Sequence, residues 1–283
     1  MTPLLSLERC DVSFGAVRAL AGVSLQLERG EVVGVVGALG AGKTTLMRLI
    51  AGLVRPQHGT VQFDSGDITA LPWDARARRG IVHVPAGGGI FPSLTVAENL
   101  MLAERQEGEG VRRRRLEQLF PLLAERRSQQ AGSLSGGEQR QLAIARGALG
   151  APRLLLLDEP LLGLSPVTAA SVRRLIDELR RDGVAALLSE ERPTEDLQAM
   201  AGRLIGLRGG ELVPAGELRA ADMRHAAGGG DLDRVDVEVI GLPLSTRDRR
   251  ALQTIAQARG VPVGRLLAEL AEQYATERRE DWE

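Results

Sequence analysis

Apolar and polar positions alternate over the first thirty residues and break at glycines. Residues 4–9, 12–15 and 23–27 read as short antiparallel strands. The pattern then changes: Glu31-Val32-Val33-Gly34-Val35-Val36 is a nearly continuous apolar run, and Leu46-Met47-Arg48-Leu49-Ile50-Ala51 carries a helical period. Residues 56–64 read as a turn and a strand, with His58 in the solvated turn. Residues 80–85 give another strand, in which His83 is expected as a buried, hydrogen-bonded core histidine, and the mobile glycine loop Ala86-Gly87-Gly88-Gly89 follows. From 95 to 149 the period is helical. Thr95 with Glu98 makes a capping box for a helix through Leu102, and a later helix carries Leu116, Leu119 and Phe120. The run Arg112-Arg113-Arg114-Arg115 opens that later helix and reads as its solvated face. Leu154-Leu155-Leu156-Leu157 shows no alternation, as a parallel strand buried on both faces should. The expected class is α/β, with antiparallel strands before a parallel core.

The junction Gly37-Ala38-Leu39-Gly40-Ala41-Gly42-Lys43-Thr44-Thr45 adds chemistry to this pattern. It sets G-x-x-x-x-G-K-[ST] between a strand and a helix, the phosphate-binding P-loop. Its glycines let the backbone curl so that N–H groups face an anion, and the helix N-terminus adds its positive end. Lys43 would serve the β- and γ-phosphates, and the Thr44 hydroxyl Mg²⁺. Among 36 Lys and Arg residues Lys43 is the only lysine. The compact ammonium is kept where a guanidinium would not substitute.

Composition narrows the setting. Hydrophobic residues make up 43% of 283 but aromatics only 2%, so the cores must be aliphatic. A net charge of −1 favours no class of charged partner, and the single cysteine, Cys10, excludes an intrachain disulfide and fits a reducing compartment. No apolar run reaches the roughly 20 residues of a membrane span, and the N-terminus is charged too early for a signal peptide. The expectation is a soluble intracellular chain whose membrane role, if any, comes through a partner.

Two further motifs carry chemistry. Leu134-Ser135-Gly136-Gly137-Glu138-Gln139 opens a helix and forms a second anion site. One chain rarely needs two γ-phosphate sites unless the second serves another chain's nucleotide. Asp158-Glu159-Pro160 ends the leucine strand, at the edge of the sheet where ligands of α/β folds bind. Asp158 is the expected Mg²⁺ ligand through water, and Glu159 the group that orients or deprotonates the attacking water.

In this order, the P-loop, Leu-Ser-Gly-Gly-Glu-Gln and Leu-Leu-Leu-Leu-Asp-Glu-Pro resemble an ATP-binding cassette (ABC) ATPase over roughly residues 4–222. Residues 89–100, 161–166 and 207–213 are similar to the smaller ATPase paralogue of branched-chain amino-acid importers. The resemblance implies an ABC-type P-loop NTPase with a RecA-like parallel core, an antiparallel β subdomain and a helical subdomain at about 87–150. It implies ATP and Mg²⁺, held by Gly37, Gly40, Ala41, Gly42, Lys43, Thr44 and Thr45 in one chain and by Ser135, Gly136 and Gly137 of another. That second cassette would be a copy or a paralogue. Phe14 could be core or adenine platform by its chemistry alone, and the resemblance favours the platform. The helical subdomain would touch transmembrane permease subunits at the inner face of the membrane, with an external solute-binding protein acting indirectly.

Some positions depart from that family pattern. Ala86 stands where a Gln or Glu usually senses the γ-phosphate, Glu191 where a His or Gln does, and Leu39 where Asn is common. A carboxylate beside a phosphate repels it unless protonated or turned away. A hydrolysis-impaired regulatory cassette is therefore the alternative to a transport ATPase. The C-terminal residues form a third piece. With 1–225 as the cassette, 226–230 reads as a linker and 231–283 as strand, helix, helix, loosely resembling a ribbon-helix-helix dimerisation module. A DNA-associated ATPase acting through this piece is a further alternative. Its 8 Arg against 11 Asp and Glu carry the wrong sign for phosphate contacts.

Overall fold

A computed structural model describes residues 2–103 and 109–218; the expected linker and C-terminal module lie outside the described residues. The chain opens with β1 (Leu5–Phe14), β2 (Val17–Leu27) and β3 (Val32–Val36), then α1 (Lys43–Ala51), β4 (His58–Phe63) and β5 (Gly66–Asp67). Next come α2 (Trp73–Arg78), β6 (Ile81–Val84), α3 (Val96–Met101), α4 (Glu109–Leu119) and α5 (Leu122–Glu125). The rest is α6 (Gly136–Leu149), β7 (Leu154–Asp158), α7 (Pro166–Arg181), β8 (Ala185–Glu190), α8 (Glu195–Met200), β9 (Arg203–Arg208) and β10 (Glu211–Pro214).

These strands make two sheets. The first is antiparallel, in the order β2-β1-β4-β5. The second runs β10-β9-β3-β8-β7-β6 and is parallel except for β10 at its edge. Each strand of the parallel core is followed by a turn at its C-terminal end, so β3, β7 and β8 present their last residues side by side. Asp158 lies opposite Ser189, and Val36 opposite Glu190.

The leucine run explains why β7 sits centrally. Leu154 and Leu156 pack with α1 and the antiparallel sheet, whereas Leu155 and Leu157 pack with the helices on the other side. All four are fully buried, and each contributes roughly 1.5–3 kcal/mol by leaving water. The helices on that far side start where the capping chemistry puts them. Thr95 and Ser135 each form a capping box, with Glu98 and Glu138, and Ser165 caps α7 with Pro166 at its first turn.

The four-arginine run behaves as a helix face. Arg112 and Arg114 are exposed, Arg113 pairs with Glu117 at 3.2 Å, and Arg115 reaches Glu178 of α7 at 2.7 Å. His58 begins β4 as an exposed strand residue rather than in a turn. His83 differs from expectation in two respects: it is half-buried in the sheet rather than fully buried, and its buried Nε2 has no hydrogen-bond partner. Burial pushes its pKa down to about 4, which keeps the ring neutral.

Arg76 is the largest fully buried side chain. Its guanidinium donates to Leu49 O at 2.7 Å and Ile50 O at 3.0 Å, the last carbonyls of α1, and to Leu71 O and Thr69 O at 3.0 and 3.1 Å. A cation at a helix C-terminus satisfies orphan carbonyls and opposes the negative end of the dipole. Burial lowers its pKa to about 10, still charged at neutral pH. Arg76→Leu strips four carbonyls of their donor, and the expected loss is about 3–5 kcal/mol in equilibrium denaturation of the full chain. An unchanged midpoint would show that water replaces the guanidinium.

Candidate functional site

The P-loop geometry follows from its small residues. Gly42 has φ +107°, a left-handed conformation that L side chains rarely adopt, and a Cβ there would stand 2.5 Å from Ala19 O. A Cβ on Gly37 would meet Leu207 O at 2.3 Å. These close approaches lay the loop against β2 and β9 and aim it at the start of α1. No side chain caps that helix, so its first N–H groups are left for an anion. Phe14, half-buried at the end of β1, pairs with Val17 in the hairpin whose second strand lies against Gly42.

Lys43 is 5% exposed, and its Nζ donates to Gly37 O at 2.7 Å and Ala38 O at 3.0 Å. The ammonium is thus folded over the loop that would receive the phosphates. Burial lowers its pKa, and four acids oppose that shift, Glu159, Glu191, Asp158 and Glu190 in decreasing order. The structure therefore brings together the candidate residues that lie far apart in sequence.

Asp158 closes β7 at 3% exposure. Its Oδ1 accepts a short hydrogen bond from the Ser189 hydroxyl, while Oδ2 is buried with no partner. An orphaned carboxylate oxygen of this kind is costly in a site meant to stay as it is, and is what a hard divalent cation needs. Thr44, half-buried on the first turn of α1, offers the hydroxyl. The donor set fits Mg²⁺, which takes few protein oxygens and keeps phosphate and water oxygens for the rest.

Glu159 follows with φ +50°, a left-handed conformation for a residue with a side chain. Ser189 holds it through two acceptors, its carbonyl at 3.1 Å and its hydroxyl at 3.2 Å from Glu159 N. Burial raises the pKa of its carboxyl, with Lys43 pulling the other way and Asp158 and Glu191 adding to the rise. A partly desolvated carboxylate of this type is a stronger base than one in water.

Three residues of the site are not apparent from sequence pattern. Ser189 was hidden inside the apolar run of β8, although a hydroxyl within such a run is itself a signal. Glu190, 8% exposed, accepts from Leu161 N at 2.9 Å, and burial raises its pKa to about 7. Arg140 of α6 donates to the carbonyls of both Glu159 and Ala86; nothing in a helix rich in charged residues marked it. Of the departures, Leu39 is 62% exposed on the P-loop, and Glu191 stands close enough to act on both Lys43 and Glu159. The glycine loop after β6 is tied by hydrogen bonds to its Pro85, Ala86 and Gly89 carbonyls, from Gly88 N, Arg140 and Arg146. Ser135 and Gly136 are exposed at the head of α6, and Gly137 packs beside Gly163 O in the turn after Pro160.

This geometry, a phosphate cradle facing an acidic strand end, agrees with comparison to known proteins. A family profile described as "ABC transporter" matches residues 20–162. The chain belongs to the ABC transporter family. Among its relatives, the high-affinity branched-chain amino acid transport ATP-binding protein BraG of Pseudomonas aeruginosa is 37% identical over 213 residues, 74% of this chain and 91% of that protein. The lipopolysaccharide export system ATP-binding protein LptB of Escherichia coli K12 is 36% identical, over 70% of this chain and 84% of the relative. A solved ATP-binding cassette of an ABC transporter in its ADP conformation superposes with TM-score 0.66 at 25% identity, over 75% of this chain and 90% of that one. A dimeric bacterial ABC transporter cassette superposes with TM-score 0.66 at 26% identity, over 75% and 98%. The protein is an ABC ATPase cassette, the ATP-binding subunit of a transporter. No helix among the described residues is long and apolar enough to cross a membrane.

The raised pKa of Glu190 gives the cassette a pH signature. Between its ordinary value of 4.5 and about 7, the folded state holds a proton that the unfolded chain has lost. The contribution of Glu190 to stability therefore falls as pH rises through this window, by up to about 3 kcal/mol. His83, held neutral by burial down to about pH 4, pulls the other way below its ordinary 6.5, so the test is a difference: the unfolding free energy of the parent relative to Glu190→Gln, measured from pH 4.5 to 8 without nucleotide or metal, should fall by about that amount. Parallel curves for the two proteins would contradict the assignment.

Proposed function

We propose that the cassette binds and hydrolyses ATP to drive an importer for branched-chain amino acids or a related small polar solute. The observation that carries the hydrolytic part is the meeting of Lys43, the unpartnered Oδ2 of Asp158 and the desolvated Glu159 at one edge of the sheet. The P-loop amides and Lys43 bind the phosphates. Thr44 and Asp158 hold Mg²⁺, which when bound neutralises charge on the phosphoryl oxygens. Glu159 orients the attacking water in line with the γ-phosphate and takes its proton. Phe14 supports the adenine. Ser135, Gly136 and Gly137 of a second cassette, a copy or a paralogue, complete each nucleotide site from the far side, with the N–H groups of Gly136 and Gly137 at the head of a helix whose cap, Ser135, gives its own N–H to Glu138.

The importer part rests on the similarity to BraG and on the motifs at 89–100 and 161–166. LptB, a similar relative, serves an exporter, so the cargo needs its own test. Residues 1–225 form the cassette in this reading, the helices within 87–150 face the permease at the membrane, and 231–283 is a dimerisation module.

A second reading, a cassette that binds ATP and hydrolyses it poorly, draws on one structural feature. Glu191 adds negative charge beside Lys43 where the phosphates would lie, and Ala86 contributes no polar side chain there.

Turnover of Mg-ATP by the purified chain separates these readings. The expected result is measurable hydrolysis, lost with ATP binding in Lys43→Ala. Glu159→Gln should keep binding but lose roughly 10²–10⁴-fold in kcat. Binding without turnover in the parent protein, alone or mixed with a paralogous cassette, would leave the regulatory reading. For the cargo, removing the chain from its host should abolish energised uptake of labelled leucine, isoleucine or valine, and restoration should require Lys43. Uptake that continues unchanged would remove the importer assignment.

A further inference from the structure

The loop after β6 and the turn after β7 belong to different parts of the chain, yet one side chain holds both. Arg140 lies five residues beyond Ser135 on α6. One terminal nitrogen, Nη1, donates to the carbonyl of Glu159, and the other, Nη2, to the carbonyl of Ala86 at 2.9 Å. Neither contact uses the side chain of the residue held. The grip therefore works at Ala86, where the chain lacks a polar side chain, and at Glu159, whose backbone sits at φ +50°. The same guanidinium exerts its charge on the carboxylates of Glu159 and Glu190. A planar guanidinium presents its donors in a rigid fork with fixed directions, whereas the donors of a lysine ammonium rotate on a flexible stem.

We propose that Arg140 is a positioning residue that clamps the loop after β6 and the backbone of Glu159 to the helix headed by Ser135-Gly136-Gly137. Displacement of that helix then moves both segments together, and closure of the anion site at its head is felt at Glu159. The inference rests on the hydrolytic reading for its effect on rate, but not for the clamp itself.

The test combines Arg140→Ala and Arg140→Lys in the full chain with two measurements. Hydrogen exchange without nucleotide should quicken in Arg140→Ala at residues 86–89 and 159–163 together, with the rest of the sheet unchanged. Turnover should fall by about ten- to a hundredfold in kcat, while the Kd for ATP stays within about threefold. Guanidinium at low, non-denaturing concentration should restore part of the rate to Arg140→Ala. Arg140→Lys, which keeps the charge but loses the rigid fork, should fall between the two. Unchanged exchange, faster exchange at only one segment, or an undiminished kcat would overturn the proposal. If Arg140→Ala fails to fold, the lysine variant decides it by the same exchange pattern. A parent protein without turnover would defeat the hydrolytic reading, and the paired exchange would still decide the clamp.

Discussion

Four carboxylates, those of Asp158, Glu159, Glu190 and Glu191, act on one buried ammonium, that of Lys43. Charges of one sign cannot be gathered in a poorly solvated place without compensation. The compensation visible here is incomplete. Lys43 is spent on the carbonyls of its own loop, Arg140 on two others, and Asp158 keeps one oxygen with no partner. The site is therefore built for an additional cation. A polyphosphate alone would add to the repulsion, whereas, under the proposed function, one arriving with a divalent metal would satisfy the orphan oxygen and free Lys43 to meet the phosphates. Electrostatics thus couples nucleotide and metal before any chemistry is considered.

The fold makes this gathering possible because parallel strands end together. β3, β7 and β8 lie side by side, and each passes from apolar residues to functional ones at the same edge. The apolar parts of the strands are buried on both faces, so their ends have little freedom to spread. Ser189 uses that rigidity. From β8 it holds the carboxylate of Asp158 at the end of β7 and the N–H of Glu159 just after it, which maintains the left-handed backbone of Glu159 against its intrinsic preference. Behind the site, Arg76 plays a comparable part for α1, anchoring the end of the helix whose other end follows the P-loop.

Much of this was legible in the sequence, and the reason differs by element. The P-loop could be read because its glycines answer to backbone geometry, which acts locally. The strand ending in Asp158 could be read because four leucines without alternation have few places to go. The cap at Thr95 is likewise local chemistry. Ser189, Glu190 and Arg140 were not legible, since what distinguishes them is a contact with residues 19 to 54 positions away. His83 was half legible. Its strand placed it in the sheet, but no pattern shows whether a buried nitrogen will find a partner.

The departures from the family pattern take on a different meaning once these contacts are known. Ala86 removes a side chain from the loop after β6, but its carbonyl is held by the guanidinium that also holds Glu159. A tether through the backbone is indifferent to side-chain identity, so Ala86 can be small without leaving the loop loose. Glu191 is the more consequential change. Its charge falls on the same Lys43, whereas the carboxylate of Glu190 accepts from the Leu161 N–H and titrates at about 7. Glu190 can shed its charge by holding a proton; Glu191 is half-exposed. Under the hydrolytic reading proposed above, the charge of Glu191 beside Lys43 would therefore weigh more on the balance between binding and turnover than the missing polar group at 86.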